Sequence, residues 1–317
     1  MTTAPATERP PAAVPDPRAA TLRRRSPTRD SGWWATLMLF PAVVGLGVFE
    51  IWPTFQTVYY SFTSWGSFGG HTLTGLANYV ELLEDADVGR AIVNTAVLTG
   101  ITLLGVPLAV IVAALLSQPG LRGVTIYRTI YFLPVVTLPA AVALTWKFLY
   151  NGDYGLINYL LSLVGINGPY WLSDPRTVIF AIGAVAVWGS VGYNMVILLA
   201  GIQGIPPDYY EAAGLDGAGR LAQFRHITVP LLTPAIFFIV VISVINALQT
   251  FDLVFLMVGP TNPAIARAQT IVYLFYQNGF AQHDGGYASA IAVLLLLLTL
   301  VLTVVQFRLQ KRWVHYG

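Results

Sequence analysis

Between Arg90 and Arg122 no residue carries a formal charge, and the same holds for five further runs. These lie between Asp30 and Glu50, Arg128 and Lys147, Arg176 and Asp208, His226 and Asp252, and Asp284 and Arg308. A bilayer core of about 30 Å takes roughly 20 apolar residues as a helix, and each run is near or above that length. Composition agrees: 56% of the 317 residues are hydrophobic and only 10% charged, against about a quarter charged in soluble domains. A backbone in hydrocarbon must satisfy its own hydrogen bonds, and the runs lack the alternation of strands. The expectation is therefore an all-α, polytopic integral membrane protein with about six transmembrane helices. The chain has no cysteine, which excludes disulfides and thiol catalysis.

Basic residues set the orientation. Thirteen of the 17 Lys and Arg fall in the N-terminal tail, the loops after the second and fourth spans, and the C-terminal end. Arg90, Lys147, Arg176 and Arg267 fall on the other side. Both termini should then be cytoplasmic. Residues 1–32, rich in Pro, Ala, Thr and Arg, cannot bury enough apolar surface to order themselves and read as a disordered cytoplasmic tail. Residues 313–317 read as a second, short tail. On the outer side, residues 63–90 should hold a short amphipathic helix at the surface. "NGDYGLINYLLSLVGINGPYWLSDP" suits an aromatic interfacial segment. Glu50, Lys147 and Asp252 stand near the outer span ends, where snorkelling relieves their charge.

One cytoplasmic loop, 206–230, is unlike its apolar surroundings. Pro206 and Pro207 should stop the fourth helix, and Asp208 should cap a new one with Glu211 as capping-box partner. Asp216-Gly217 reads as a turn. A second short helix follows through Phe224 and Ile227, with Pro230 closing it. The small residues on this pair would let another protein approach closely. Arg220 and Arg225 alone do not make a basic recognition helix, so no nucleic acid is expected.

"EAAGLDGAGRLAQFRHITVPLLTP" resembles the EAA loop of binding-protein-dependent ABC importer permeases, through Glu211, Ala212, Ala213, Gly217, Ile227 and Pro230. Stretches such as "YRTIYFLPVVTLPAAVALTWKFLYNGDYGLIN" and "VGYNMVILLAGIQGIPPDYYEAAGLDGA" are similar to the maltose-type sugar permeases of the type I importers, over residues 33–312. The resemblance implies that Tyr210, Glu211, Ala212, Ala213, Asp216, Gly217, Ala218, Phe224, Ile227 and Pro230 dock into a cleft on a cytoplasmic ATPase. It implies a second, homologous permease, two ATPase copies and an extracytoplasmic solute-binding protein, in a bacterial plasma membrane. The chain itself offers no phosphate-binding loop: neither Lys147 nor Lys311 has the required glycine spacing. ATP and Mg are expected on the partner subunits, with no cofactor or metal here.

Two polar stripes lie well inside the spans. Ser190, Tyr193 and Asn194 share one helical face, as do Ser243, Asn246, Ala247 and Thr250. Such residues join helices or line a watery path. By resemblance Gly189, Ser190, Tyr193, Ser243, Ala247 and Thr250 match sugar-contacting positions; Asn246 and Gln249 join them by position. A pyranose offers hydroxyls to Asn, Ser and Thr, and a C–H face to Tyr193 or Trp188. The absence of formal charge along the path favours a neutral solute, a di- or oligosaccharide, over one such as glycerol-phosphate. An ion-coupled transporter would need a midplane carboxylate or broken-helix pair. A membrane enzyme would need a metal-ligand or nucleophile pattern, whereas His71, His226, His283 and His315 fall outside the spans.

Overall fold

The computed structural model describes residues 31–65, 70–118 and 120–314 and divides between Thr54 and Phe55 into two units. The tail expected over 1–32 lies outside the described residues except for 31–32, which already belong to a helix. α1 (Ser31–Leu46), in the first unit, passes through a π turn, Gly47–Ile51, into α2 (Trp52–Tyr60), within which the division falls. Trp52 N–H donates to the Gly47 carbonyl, one residue further back than an α-helix requires. The widened turn sits just before Pro53, whose ring would otherwise press on the preceding turn. The first span therefore does not end near Glu50, as its charge suggests, but continues to Tyr60.

After α2 the second unit holds an antiparallel hairpin, β1 (Thr63–Trp65) and β2 (His71–Leu73), which the helix-only reading does not foresee. Buried Asn78 in α3 (Ala77–Glu84) donates to the Ser61 and Thr63 carbonyls, both at 2.9 Å, and fixes the hairpin. The amphipathic stretch expected over 63–90 is shorter than its sequence pattern. Asp85 ends α3 and caps α4 (Ala86–Leu103) through Asp87 N–H at 2.7 Å, so its second half belongs to a spanning helix. Thr95, Thr99 and Thr102 donate to carbonyls four residues back, which hides their hydroxyls in an apolar setting. After a tight turn at Leu104, α5 (Gly105–Leu116) completes this span.

The third span is broken. α6 (Val124–Val136) and α7 (Pro139–Leu149) meet at 99°. Thr137 is extended, and Leu138 precedes Pro139, which disfavours the helical conformation. Lys147 Nζ reaches the Leu256 carbonyl at 3.2 Å, an alternative to snorkelling. The segment that follows holds α8 (Leu156–Leu163) and is pinned by Asn158, which receives Trp171 Nε1–H at 2.7 Å and donates to the Gly152 carbonyl at 3.0 Å. Tyr170 donates to Asp153 at 2.8 Å, and that carboxylate holds the phenol above its usual pKa.

α9 (Val178–Gln203) is the central helix, packed against α4, α5, α6 and the later helix over Thr233–Leu248. A side chain at Gly192 would collide with the Tyr131 backbone carbonyl of α6. Gly192→Ala should therefore lower stability by about 1–3 kcal/mol, read as an earlier thermal transition of the purified protein. An unchanged transition would mean that α6 yields at no cost. Then come α10 (Asp208–Leu215), α11 (Arg220–Gln223), a π turn over Phe224–Thr228, α12 (Val229–Leu231) and α13 (Thr233–Leu248), the last bent by 66° from its predecessor. α14 (Ile271–Tyr276) and α15 (Gly285–Trp313) finish the chain. α15 runs through Trp313, so the tail expected from 313 begins no earlier than Val314; residues 315–317 lie outside the described residues. Tyr287 at the start of α15 donates to Asp85 at 2.8 Å, joining the N-termini of α4 and α15. Among the described residues four helices are long and apolar enough to cross a membrane, and the number rises to six when each bent pair is taken as one span.

Candidate functional site

The loop between α9 and α13 is a braced helix pair. α10 ends in a Schellman turn: Ala218 N–H donates to the Ala213 carbonyl at 2.9 Å and Gly217 N–H to the Gly214 carbonyl at 3.1 Å. This requires Gly217 at φ +78°, a region that side chains disfavour. Tyr210 Oη and Thr228 Oγ1 lie 3.0 Å apart across the pair, and Gln223 Nε2 reaches the Ala218 carbonyl at 3.2 Å. Two local expectations are corrected. Pro207, not Asp208, occupies the cap position, and no side chain caps α10, so the Asp208–Glu211 capping box is not formed. Nor does Pro230 close the second helix. A π turn, with Val229 N–H bonded to the Phe224 carbonyl, makes room for the proline, and helical backbone runs on to Leu231.

Burial divides the loop into two sides. Glu211, Ala212, Asp216 and Gly217 are exposed, while Tyr210, Ala213, Ala218, Phe224, Ile227 and Pro230 are half-buried and carry the pair. Two apolar side chains that sequence reasoning passed over stand out: Leu215 is 91% exposed and Leu221 79% exposed. Both flank the Asp216–Gly217 turn. A leucine directly before an Asp-Gly turn, on a loop otherwise of small residues, is the signal that could have found them.

The polar stripes are placed less uniformly. Tyr193 is 41% exposed, whereas Asn194 is 3% exposed with its Nδ2 unpartnered among the described residues. Consecutive helical residues point about 100° apart, and the edge of the packed face runs between these two. Ser190 is half-buried and donates to the Val187 carbonyl at 2.9 Å, with its neighbour Gly189 also half-buried. On α13, Ser243 and Ala247 are buried, while Asn246 and, one residue beyond the helix, Gln249 are exposed. Thr250 donates to the Asn246 carbonyl at 3.2 Å and accepts, through its own carbonyl, from Thr270 at 2.8 Å. The nine positions thus do not share one surface: Asn194, Ser243 and Ala247 turn inward, and Tyr193, Asn246 and Gln249 outward. Trp188, five residues before Tyr193 on α9, is also exposed, its ring met edge-on by Trp146 at 5.5 Å, and Trp146 in turn contacts Tyr150 at 5.4 Å. Among the described residues no three His, Asp or Glu come together as a metal site.

A polytopic helical chain with one braced polar loop and an uncharged, partly open stripe has clear counterparts. The family described as "Binding-protein-dependent transport system inner membrane component" matches residues 91–315. The chain is 37% identical over 280 residues to "Probable ABC transporter permease protein YurN" of Bacillus subtilis (strain 168), covering 87% of this chain and 95% of that one. It is 31% identical over 287 residues to "sn-glycerol-3-phosphate transport system permease protein UgpA" of Yersinia enterocolitica serotype O:8, covering 90% and 96%. A solved bacterial ABC transporter involved in the import of the acidic polysaccharide alginate superposes with TM-score 0.80 at 25% identity, over 89% of this chain and 96% of that one.

Proposed function

The chain belongs to the binding-protein-dependent transport system inner membrane components and is a permease subunit of an ABC importer; from that premise we propose that it translocates a di- or oligosaccharide, or a related neutral solute, across the bacterial plasma membrane. The observation that carries the solute class is that the outward-facing residues Tyr193, Asn246 and Gln249, with Trp188 also exposed on α9, offer hydrogen bonds and ring faces without charge. A sugar ring presents the matching surfaces, hydroxyls at its edge and C–H groups on its face.

Residues 33–312 form the permease domain in this reading, and 206–230 the joint to the ATPase. Both termini face the cytoplasm. A solute-binding protein delivers sugar to the outer loops. Two ATPase subunits close on ATP and Mg, push the exposed face of Glu211, Ala212, Asp216 and Gly217, and so open the helices outward; hydrolysis resets them. A second homologous permease covers the open stripe and completes the path. Uptake of a radiolabelled sugar panel by the reconstituted assembly tests the solute class. Transport of glycerol-phosphate with no sugar transported would replace it. That second reading is favoured by relatives named as sn-glycerol-3-phosphate permeases and opposed by the uncharged stripe.

Orientation has its own test. Ser173 and Gly219 are both exposed. A cysteine at Ser173 should react with an impermeant thiol reagent added outside intact cells, and one at Gly219 only after the cells are opened. The reverse pattern would invert the topology.

A further inference from the structure

At the end of the bundle that carries the α10–α11 loop lies a cavity of about 1080 Å³. Its walls are mainly apolar and come from α5, the start of α6, the end of α9 and the loop, including Ile111, Leu115, Ile205 and Phe224. Into it come two arginines. Arg128 is half-buried, and its Nε is buried with no partner among the described residues. Arg220 has a single long contact, to Gln118 Oε1 at 3.3 Å. The lining holds one carboxylate, that of exposed Glu211, and the ion pair recorded among the described residues, Arg90–Asp87, is elsewhere. The cavity therefore has a net positive lining in an apolar frame.

A second feature leads away from it. Leu108, Ile111 and Leu115, with the cap residue Leu104 before them, are exposed on successive turns at one side of α5, and Ile111 and Leu115 also line the cavity. An inorganic anion would satisfy the arginines and leave the apolar walls of the cavity, Ile111 and Leu115 among them, unfilled. An acidic side chain of an ATPase would do the same. An amphiphile accounts for both, since basic pockets between transmembrane helices at the cytoplasmic face suit anionic headgroups.

We propose that this cavity binds an anionic phospholipid, with its phosphate at Arg128 and Arg220 and an acyl chain along the Leu104–Leu115 stripe. The lipid would then bridge the α5–α6 region and the loop at Arg220, and so influence how loop movement reaches the helices. The proposal does not depend on which solute is carried.

The test uses the whole purified assembly, exposed to vesicles of phosphatidylcholine with phosphatidylglycerol and examined by native mass spectrometry. The wild type should retain phosphatidylglycerol in preference to phosphatidylcholine. Each basic group near an anionic surface is worth about fivefold in binding, so Arg128→Gln should lower retention by roughly that factor and Arg128→Gln with Arg220→Gln by more. Arg128→Lys, which keeps the charge, should stay near wild type and controls for folding. Excess inorganic phosphate should leave retention unchanged. Three results would overturn the proposal: equal retention by the double variant, displacement of the lipid by phosphate, which would make this a soluble-anion site, or retention only after the ATPase subunits are stripped away, which would give the cavity to them. The readout is lipid bound per complex, so its failure leaves the transport reading untouched.

Discussion

Replacing Gly217 by aspartate is expected to stop solute uptake while leaving the chain folded in the membrane. The left-handed backbone at Gly217, φ +78°, is what closes the Schellman turn of α10. An ordinary side chain there costs about 1–2 kcal/mol, and Asp and Asn suffer least. Among the described residues, its own chain neighbours aside, nothing lies within 4 Å of an added Cβ, so the substitution meets no clash at home. The damage must come from what approaches from outside. Leu215 and Leu221 flank this turn and are exposed, next to exposed Asp216 and Glu211, so the surface that would be covered joins an apolar pair to two negative charges. A carboxylate carried into such a contact without a partner costs several kcal/mol, and about 1.4 kcal/mol is one decade in affinity. Docking of the ATPase should weaken by at least two decades, and uptake should fall to background. Gly217→Asn, of nearly equal shape but uncharged, should keep measurable uptake. The checks are uptake, membrane abundance and ATPase co-purification. Wild-type uptake by Gly217→Asp would remove the coupling role, and loss of the protein from the membrane would make the glycine a folding requirement instead.

The spans were legible because charge is so costly in hydrocarbon that its spacing marks their limits. Bends were not, because a proline within an apolar run reads the same whether the helix tolerates it or breaks. Pro41 stays inside α1, Pro139 follows a 99° turn, and Pro53 and Pro230 each follow a π turn. What separates these cases is the packing around each one, which no local pattern records. The loop illustrates the same division. The spacing of Glu211, Gly217 and Pro230 carried the family, yet the exposure of Leu215 and Leu221 depends on which side of α10 rests on Thr228 and Gln223. Along α9 and α13 a polar stripe could be read, but not its edge. A 100° step separates Tyr193 from Asn194 and Asn246 from Ala247, and the tertiary fold alone decides which of each pair turns outward.

Tyr193 is where that edge has a measurable consequence. Were the residue a packing element within this chain, its ring would be covered; it is instead 41% exposed. Tyr193→Ala should therefore cost the isolated chain little stability. In transport it removes both ring area and a hydroxyl facing the sugar. Loss of a hydrogen bond and of buried packing together amounts to a few kcal/mol, and about 1.4 kcal/mol is tenfold in rate, so uptake per complex should fall by roughly tenfold or more. Tyr193→Phe keeps the ring and loses one hydrogen bond, worth about 1 kcal/mol, so its deficit should be severalfold at most. Basal ATP hydrolysis should be unchanged in both, because Asp208–Pro230 is untouched. Asn194→Ala is the contrast: this side chain is 3% exposed, and its loss should register in thermal stability before it registers in uptake. Uptake, abundance and hydrolysis are to be measured on one preparation. Normal uptake per complex by Tyr193→Ala would take the residue out of the path. A stability loss as large as that of Asn194→Ala would assign it to a helix interface, with the partner permease as the surface it meets.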